Sequence, residues 1–238
     1  MMRSVLMLGL LAAAWAALVS WSEERPIETG SVVGQIKVTR APTPPPLRVT
    51  TDADVCGTEL ASEAVLVGQG GALRNAVVSI EGVQGASAVR PRDLVLHNEG
   101  CAFRPHVQVG MVESPLTLSN HDPMMHNVHM SLVTGGRGRS ILNLALPGRV
   151  PRLNASRATQ APGIVKVKCD AHEWMSAYIL LFDHPFYAIV DGGGNFSIPR
   201  VPPGTYVVRV WHETLGQLTK EVTVVAGRPA EVSFTFGG

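Results

Sequence analysis

Charge is scarce in this chain. Only 16% of its 238 residues are Asp, Glu, Lys or Arg, and the formal net charge is +1. It therefore has neither the basic field that attracts nucleic acid nor an acidic tail for electrostatic docking. Cysteine is scarcer still, with three residues in all. No Gly-x-Ser-x-Gly, His-Glu-x-x-His or phosphate-loop pattern occurs, which removes the common hydrolase, zinc-protease and nucleotide-binding readings. Long runs of helix formers are few, whereas 24 Gly and 17 Pro accompany many Val and Thr. That balance favours short strands joined by turns, and the chain is long enough for two modest all-β domains.

One long apolar run exists, residues 4–19, behind Met1-Met2-Arg3. With small Ser20 and Ser22 after it, residues 1–22 read as an export signal whose removal leaves Glu23 first. The alternative is an N-terminal membrane anchor, since the run approaches the ~18 apolar residues that can span a bilayer. No cysteine follows the run closely, which argues against a lipoprotein anchor. Export to a periplasmic or extracellular location implies an oxidising compartment, where cysteine usage becomes informative.

The most chemically dense stretch is Cys169-Asp170-Ala171-His172-Glu173-Trp174-Met175. Alternation in Ile164-Val165-Lys166-Val167-Lys168 predicts a strand that delivers Cys169, and a tight loop after it swings His172 and Met175 back toward the same point. A fourth donor is expected from Asn120-His121-Asp122-Pro123-Met124-Met125-His126-Asn127-Val128-His129, where a turn feeds a strand. Residues three apart on a strand face opposite ways, so only one of His126 and His129 fits, and the turn-proximal His126 is the better choice. Two imidazoles, a thiolate and a weak thioether form the ligand set of a blue-copper electron-transfer centre, whereas zinc rarely takes methionine. His121, Met124 and Met125 read as a loop surface near the site. His97, His106, His184 and His212 read as structural. With Cys169 committed to metal, Cys56 and Cys101 remain, both in turn-like segments, and are expected to form a disulfide.

The rest of the chain reads as strands. Those expected lie near residues 31–39, 47–50, 75–82, 94–97, 103–110, 116–120, 126–132, 141–146 and 177–182, with a flexible basic tip at 135–139. The tail, from Phe186 onward, spells a compact antiparallel unit around the turn Asp191-Gly192-Gly193-Gly194-Asn195.

The residues Met125-His126-Asn127-Val128-His129 with Cys169-x2-His172-x2-Met175 resemble the cupredoxins, and the short ligand loop is most similar to that of amicyanin. The resemblance covers residues 93–183. It implies a Greek-key sandwich holding one type 1 copper ion on His126, Cys169, His172 and Met175. It also implies an Asn127 that ties the two ligand segments together and electron exchange with a redox partner protein through the exposed edge of His172. Trp174 itself reads either as packed over the site or as exposed for a partner. Glu173-Trp174 stands where amicyanin-like loops carry prolines, and Met125 where proline commonly precedes the first histidine. The tail, residues 185–238, resembles the carboxypeptidase regulatory-like, or transthyretin-like, β modules through Asp191-Gly192-Gly193-Gly194-Asn195-Phe196 and Val201-Pro202-Pro203-Gly204-Thr205-Tyr206. Such modules normally open with strands like those in residues 30–85. Two organisations are therefore open, one module split between the chain ends around the copper unit, or three consecutive segments.

The expected function is an exported electron carrier, not an enzyme. Lys168 and Asp170 flank Cys169 where multicopper oxidases place histidines, and a dinuclear copper centre would need a second cysteine in the loop. Copper delivery, or a β-sandwich interaction module without redox chemistry, are the alternatives.

Overall fold

In the computed structural model, residues 28–83 and 89–237 are described. The expected export signal, residues 1–22, lies outside them. Among the described residues no helix is long and apolar enough to cross a membrane, and the architecture is all-β, with a single four-residue α-helix at Ala53–Cys56.

The central unit is a two-sheet sandwich. One sheet runs, in spatial order, Arg137–Leu146, His126–Thr134, Gly163–Lys168, Ser176–Phe182, Val107–Met111, and the other Leu153–Asn154, Leu116–Asn120, Leu94–Asn98, Phe103–Arg104. Period-two patterning builds it. Val165 and Val167 point inward and are buried while Lys166 and Lys168 are exposed, each buried valine contributing roughly 1.5–3 kcal/mol. Leu96, Phe103, Leu118, Val128, Met130 and Ile179 fill the space between the sheets. Most neighbours are antiparallel, but Ser176–Phe182 runs parallel to Val107–Met111 and Leu94–Asn98 runs parallel to Leu116–Asn120. Parallel neighbours cannot be joined by a hairpin, so the chain crosses between sheets and produces the expected Greek-key sandwich. The turn Gly135-Gly136 is tighter than expected. Arg137 and Arg139 already pair with Thr134 and Leu132, so the basic segment is strand and not a loose tip.

A second sandwich takes strands from both ends of the chain. Gly30–Val38 pairs antiparallel with Asn195–Val201 and parallel with Pro229–Glu231 and Phe234–Phe236. Opposite lies the sheet Tyr187–Ile189, Val77–Glu81, Gly204–His212, Gly216–Val224. Ile36, Ile80, Phe196, Val208, Val210 and Phe234 form its core. The parallel pairing departs from the antiparallel expectation, because the last segment returns alongside the first strand instead of folding back on its neighbour. That segment is broken at Val232, whose N–H donates to the Val33 carbonyl. A Cβ at Gly34 would stand 1.7 Å from the Val232 carbonyl oxygen, so this crossing admits only glycine.

The two sandwiches meet over a small apolar cluster of Val77, Val107, Leu180 and Trp211. Beside it, His106 of the central unit pairs with Glu213 of the tail, both buried.

Candidate metal centre

Cys169 follows directly on Gly163–Lys168, and Met175 directly precedes Ser176–Phe182. These two strands are antiparallel, with Lys168 opposite Ser176, so the seven residues between form one hairpin loop. The loop is tightened by Met175 N–H donating to the His172 carbonyl at 2.9 Å and Cys169 N–H to the Met175 carbonyl at 3.3 Å. His126 opens the adjacent strand, three residues before His129, which pairs with Lys168. This brings the donor atoms of His126, Cys169 and His172 within 4.8 Å of one another. The two Nδ1 atoms are 2.9 Å apart, and Cys169 Sγ is 3.5 Å from His172 Nδ1. All three side chains and Met175 are buried.

The outer ring nitrogens decide what the inner ones can do. His126 Nε2 lies 2.9 Å from Asp122 Oδ2, and His172 Nε2 lies 2.8 Å from Asp52 Oδ2. A carboxylate only accepts, so each Nε2 carries the hydrogen and each Nδ1 keeps a bare lone pair. Two lone pairs facing each other at 2.9 Å are compatible only with a positive group shared between them, a proton or a cation. Burial holds His126 below the ordinary histidine value; Asp122 opposes this and the His172 charge reinforces it. The ring is thereby kept neutral and available to a metal. Two imidazoles with a thiol within reach suit a soft or borderline metal such as copper and not a hard cation, and Met175, buried at the end of the same loop, is the thioether the sequence offers.

Asn127 bridges the two ligand-bearing segments as expected of it. Its Oδ1 accepts from the N–H of Asp170 at 2.6 Å and lies 3.3 Å from Cys169 Sγ, while its backbone N–H donates to that sulfur at 3.4 Å. Its Nδ2 donates to Asn143 and to Asp170. Asp170 is held well below the carboxylate range, chiefly by Lys168 and then by Asn127 and His129. His129 faces away from the centre, bonded to Asp170 and Ser140. Trp174 packs against the His172 ring and donates to the Cys101 carbonyl at 3.1 Å. Cys56 and Cys101 form a disulfide, and Cys169 is a free cysteine.

One expectation is overturned. The His172 edge is not open to a partner, because the residue is only 1% exposed and its Nε2 is covered by Asp52. Asp52 stands at the head of the helix Ala53–Cys56, and the disulfide from Cys56 to Cys101 ties that segment over the site. Asp52 and Asp122 are the residues that sequence reasoning missed. Asp52 lies 120 positions from His172 and leaves no local signal. Asp122, four residues before His126, was readable only as part of a turn. Met125 is 53% exposed and His121 is exposed, so neither joins the cluster.

Comparison with known proteins places these features in partial context. A family model described as polysaccharide lyase family 4, domain II, matches residues 163–232. The match spans both strands of the ligand hairpin and much of the tail, and so marks a β module of a different description from the carboxypeptidase regulatory-like one. Among curated proteins, no sequence matches this chain. Among solved structures, a copper-containing nitrite reductase from Thermus scotoductus is similar at 21% identity and TM-score 0.31, over 41% of this chain and 24% of that one. A purple cupredoxin from Nitrosopumilus maritimus is similar at 19% identity and TM-score 0.31, over 37% of this chain and 99% of that one. Amicyanin from Paracoccus versutus is similar at 12% identity and TM-score 0.30, over 41% and 95%. These likenesses are partial, and the metal assignment rests on the donor geometry.

Proposed function

We propose that this chain is an exported type 1 copper protein that carries electrons for a redox partner protein. The observation that carries the reading is the pair of buried Nδ1 atoms facing each other at 2.9 Å with a free thiol at 3.5 Å, while both Nε2 atoms are committed to carboxylates. His126, Cys169, His172 and Met175 would hold one ion. Copper supplies a one-electron couple between Cu(I) and Cu(II).

The protein's own contribution is restraint. Asp122 and Asp52 fix the imidazole tautomers and ring angles, and Asn127 holds the cysteine loop against the first histidine's strand. Burial keeps bulk water from the sulfur. Because the His172 ring is covered, a partner docking at this end meets Asp52, whose side chain is 44% exposed. The reading is of a carrier and not an enzyme, since Cys169 is flanked by Lys168 and Asp170 and not by histidines that would couple it to further copper. Exposed Met125 and His121 on the turn before His126 favour a second reading, a protein that delivers copper.

The test is the visible and electron paramagnetic resonance spectrum after one equivalent of Cu(II). An intense thiolate-to-copper band with narrow hyperfine splitting is expected, absent in Cys169→Ser and retained in His129→Ala. A colourless protein would overturn the proposal, and rapid release of copper to a chelator would favour delivery.

A further inference from the structure

We infer a second, solvent-facing site for a late first-row divalent cation, held between His97 and His121. The parallel pairing of Leu94–Asn98 with Leu116–Asn120 sets His97 directly opposite Ser119. His121 follows two residues later, on the same face, while Leu96, Leu118 and Asn120 turn inward and are buried. His97 Nδ1 lies 2.6 Å from Ser119 Oγ, and the same oxygen lies 3.1 Å from His121 Nε2. The two rings stand 4.9 Å apart with a tilt of 36°. Two imidazole nitrogens thus converge on a single small oxygen.

A hydroxyl satisfies that arrangement by donating to one nitrogen and accepting from the other. A cation is the other group that can sit there, because both nitrogens can then present lone pairs to it. His97 is half-buried and His121 exposed, so both rings have room to close on an ion while water completes its coordination. Coordination through His121 Nε2 places the hydrogen on Nδ1, and the Glu99 carboxylate lies on that side, 4.0 Å away. At that distance no hydrogen bond is formed, but both side chains are exposed and a small rotation would let the carboxylate support a ligating ring. Arg104, opposite His97 on the neighbouring strand, is already paired with Glu63 at 2.9 Å.

The donor set has nitrogen and oxygen but no sulfur. It suits Cu(II), Ni(II) and Zn(II), with Cu(II) tightest by the general order of affinities. The site therefore differs from the buried centre in softness, exposure and exchange rate. It is also next to that centre along the chain, because Asp122, the residue after His121, is the one that holds His126 Nε2.

The experiment titrates the full chain with a second equivalent of Cu(II) after the first has been bound, followed by electron paramagnetic resonance, and repeats it calorimetrically with Zn(II). A new signal with wide hyperfine splitting and coupling to nitrogen is expected for the second equivalent. His97→Gln and His121→Gln should each weaken it about tenfold or more, a loss on the order of 1.4 kcal/mol. The double variant should abolish it, and Ser119→Ala should retain it. Urea unfolding of each variant checks that the fold is intact. A second signal that survives in the double variant belongs elsewhere in the chain and overturns the inference, as does failure to bind any second ion. The first equivalent reports separately on the buried centre, through Cys169→Ser, so the two readings fail independently.

Discussion

Replacing Asp122 by Asn removes one charge and leaves the shape almost unchanged. In the protein its Oδ1 accepts from Gly100 N–H at 2.8 Å, and its Oδ2 accepts from Cys101 N–H at 2.9 Å and from His126 Nε2 at 2.9 Å. All the partners are donors, and the side chain is largely buried. An asparagine can turn its oxygen toward Cys101 and His126, but its NH2 group then faces the Gly100 N–H. One donor is left unsatisfied, at roughly 1–3 kcal/mol, and two bonds fall from the charge-assisted range of about 1.5–3 kcal/mol to about 0.5–1.5 kcal/mol each. The sum is about 3–6 kcal/mol, which for a chain of this size lowers Tm by roughly 10 °C or more. Because the amide oxygen keeps the His126 tautomer but loses the charge that makes the ligating ring more basic, copper affinity should fall 10- to 100-fold, on the scale of about 1.4 kcal/mol per decade. Urea denaturation measures the first effect, and competition with a chelator of known affinity the second. A destabilised variant with undiminished copper affinity would show that Asp122 supports the fold only. Unchanged stability would refute the bonding argument itself.

Asp52→Ala should uncover His172 and speed electron exchange with a small-molecule oxidant, read by stopped flow, with at most a modest loss of copper; a slower rate would refute the covering role. Breaking the Cys56–Cys101 bond by Cys101→Ser opens a loop spanning 45 positions and should cost about 4 kcal/mol by the chain-entropy relation, together with looser retention of copper as Asp52 is released. The His106–Glu213 pair should make the union of the two sandwiches pH-dependent. Burial pulls His106 down, but its hydrogen bond to Glu213 and that residue's charge outweigh it, with smaller help from Glu63 and the Ser176 carbonyl, so the folded value is raised above 6.5. A raised folded value means the stabilisation is full below about pH 6.5 and is lost as pH rises through the folded value. The stability difference between the parent and His106→Gln should therefore shrink as pH rises above 6.5, and a difference flat across that rise would contradict the pairing.

Local chemistry was legible in the sequence alone. Alternation of Val165 and Val167 with Lys166 and Lys168 marked the strand and its inner face, and a seven-residue hairpin loop brought His172 back to Cys169 because a short loop has few ways to close. The same period-two rule separated His126 from His129, and the count of three cysteines pointed to the Cys56–Cys101 bond. Only the tertiary structure decided what lies behind the ligands and how the ends of the chain meet. Asp52 reaches His172 across 120 positions, Glu213 reaches His106 across 107, and the final strands lie parallel to Gly30–Val38. Such pairings are set by loop crossings and by which buried faces must be shared. They leave no period in the residues that make them, so the carboxylates that orient the two imidazoles became visible only once the chain was folded.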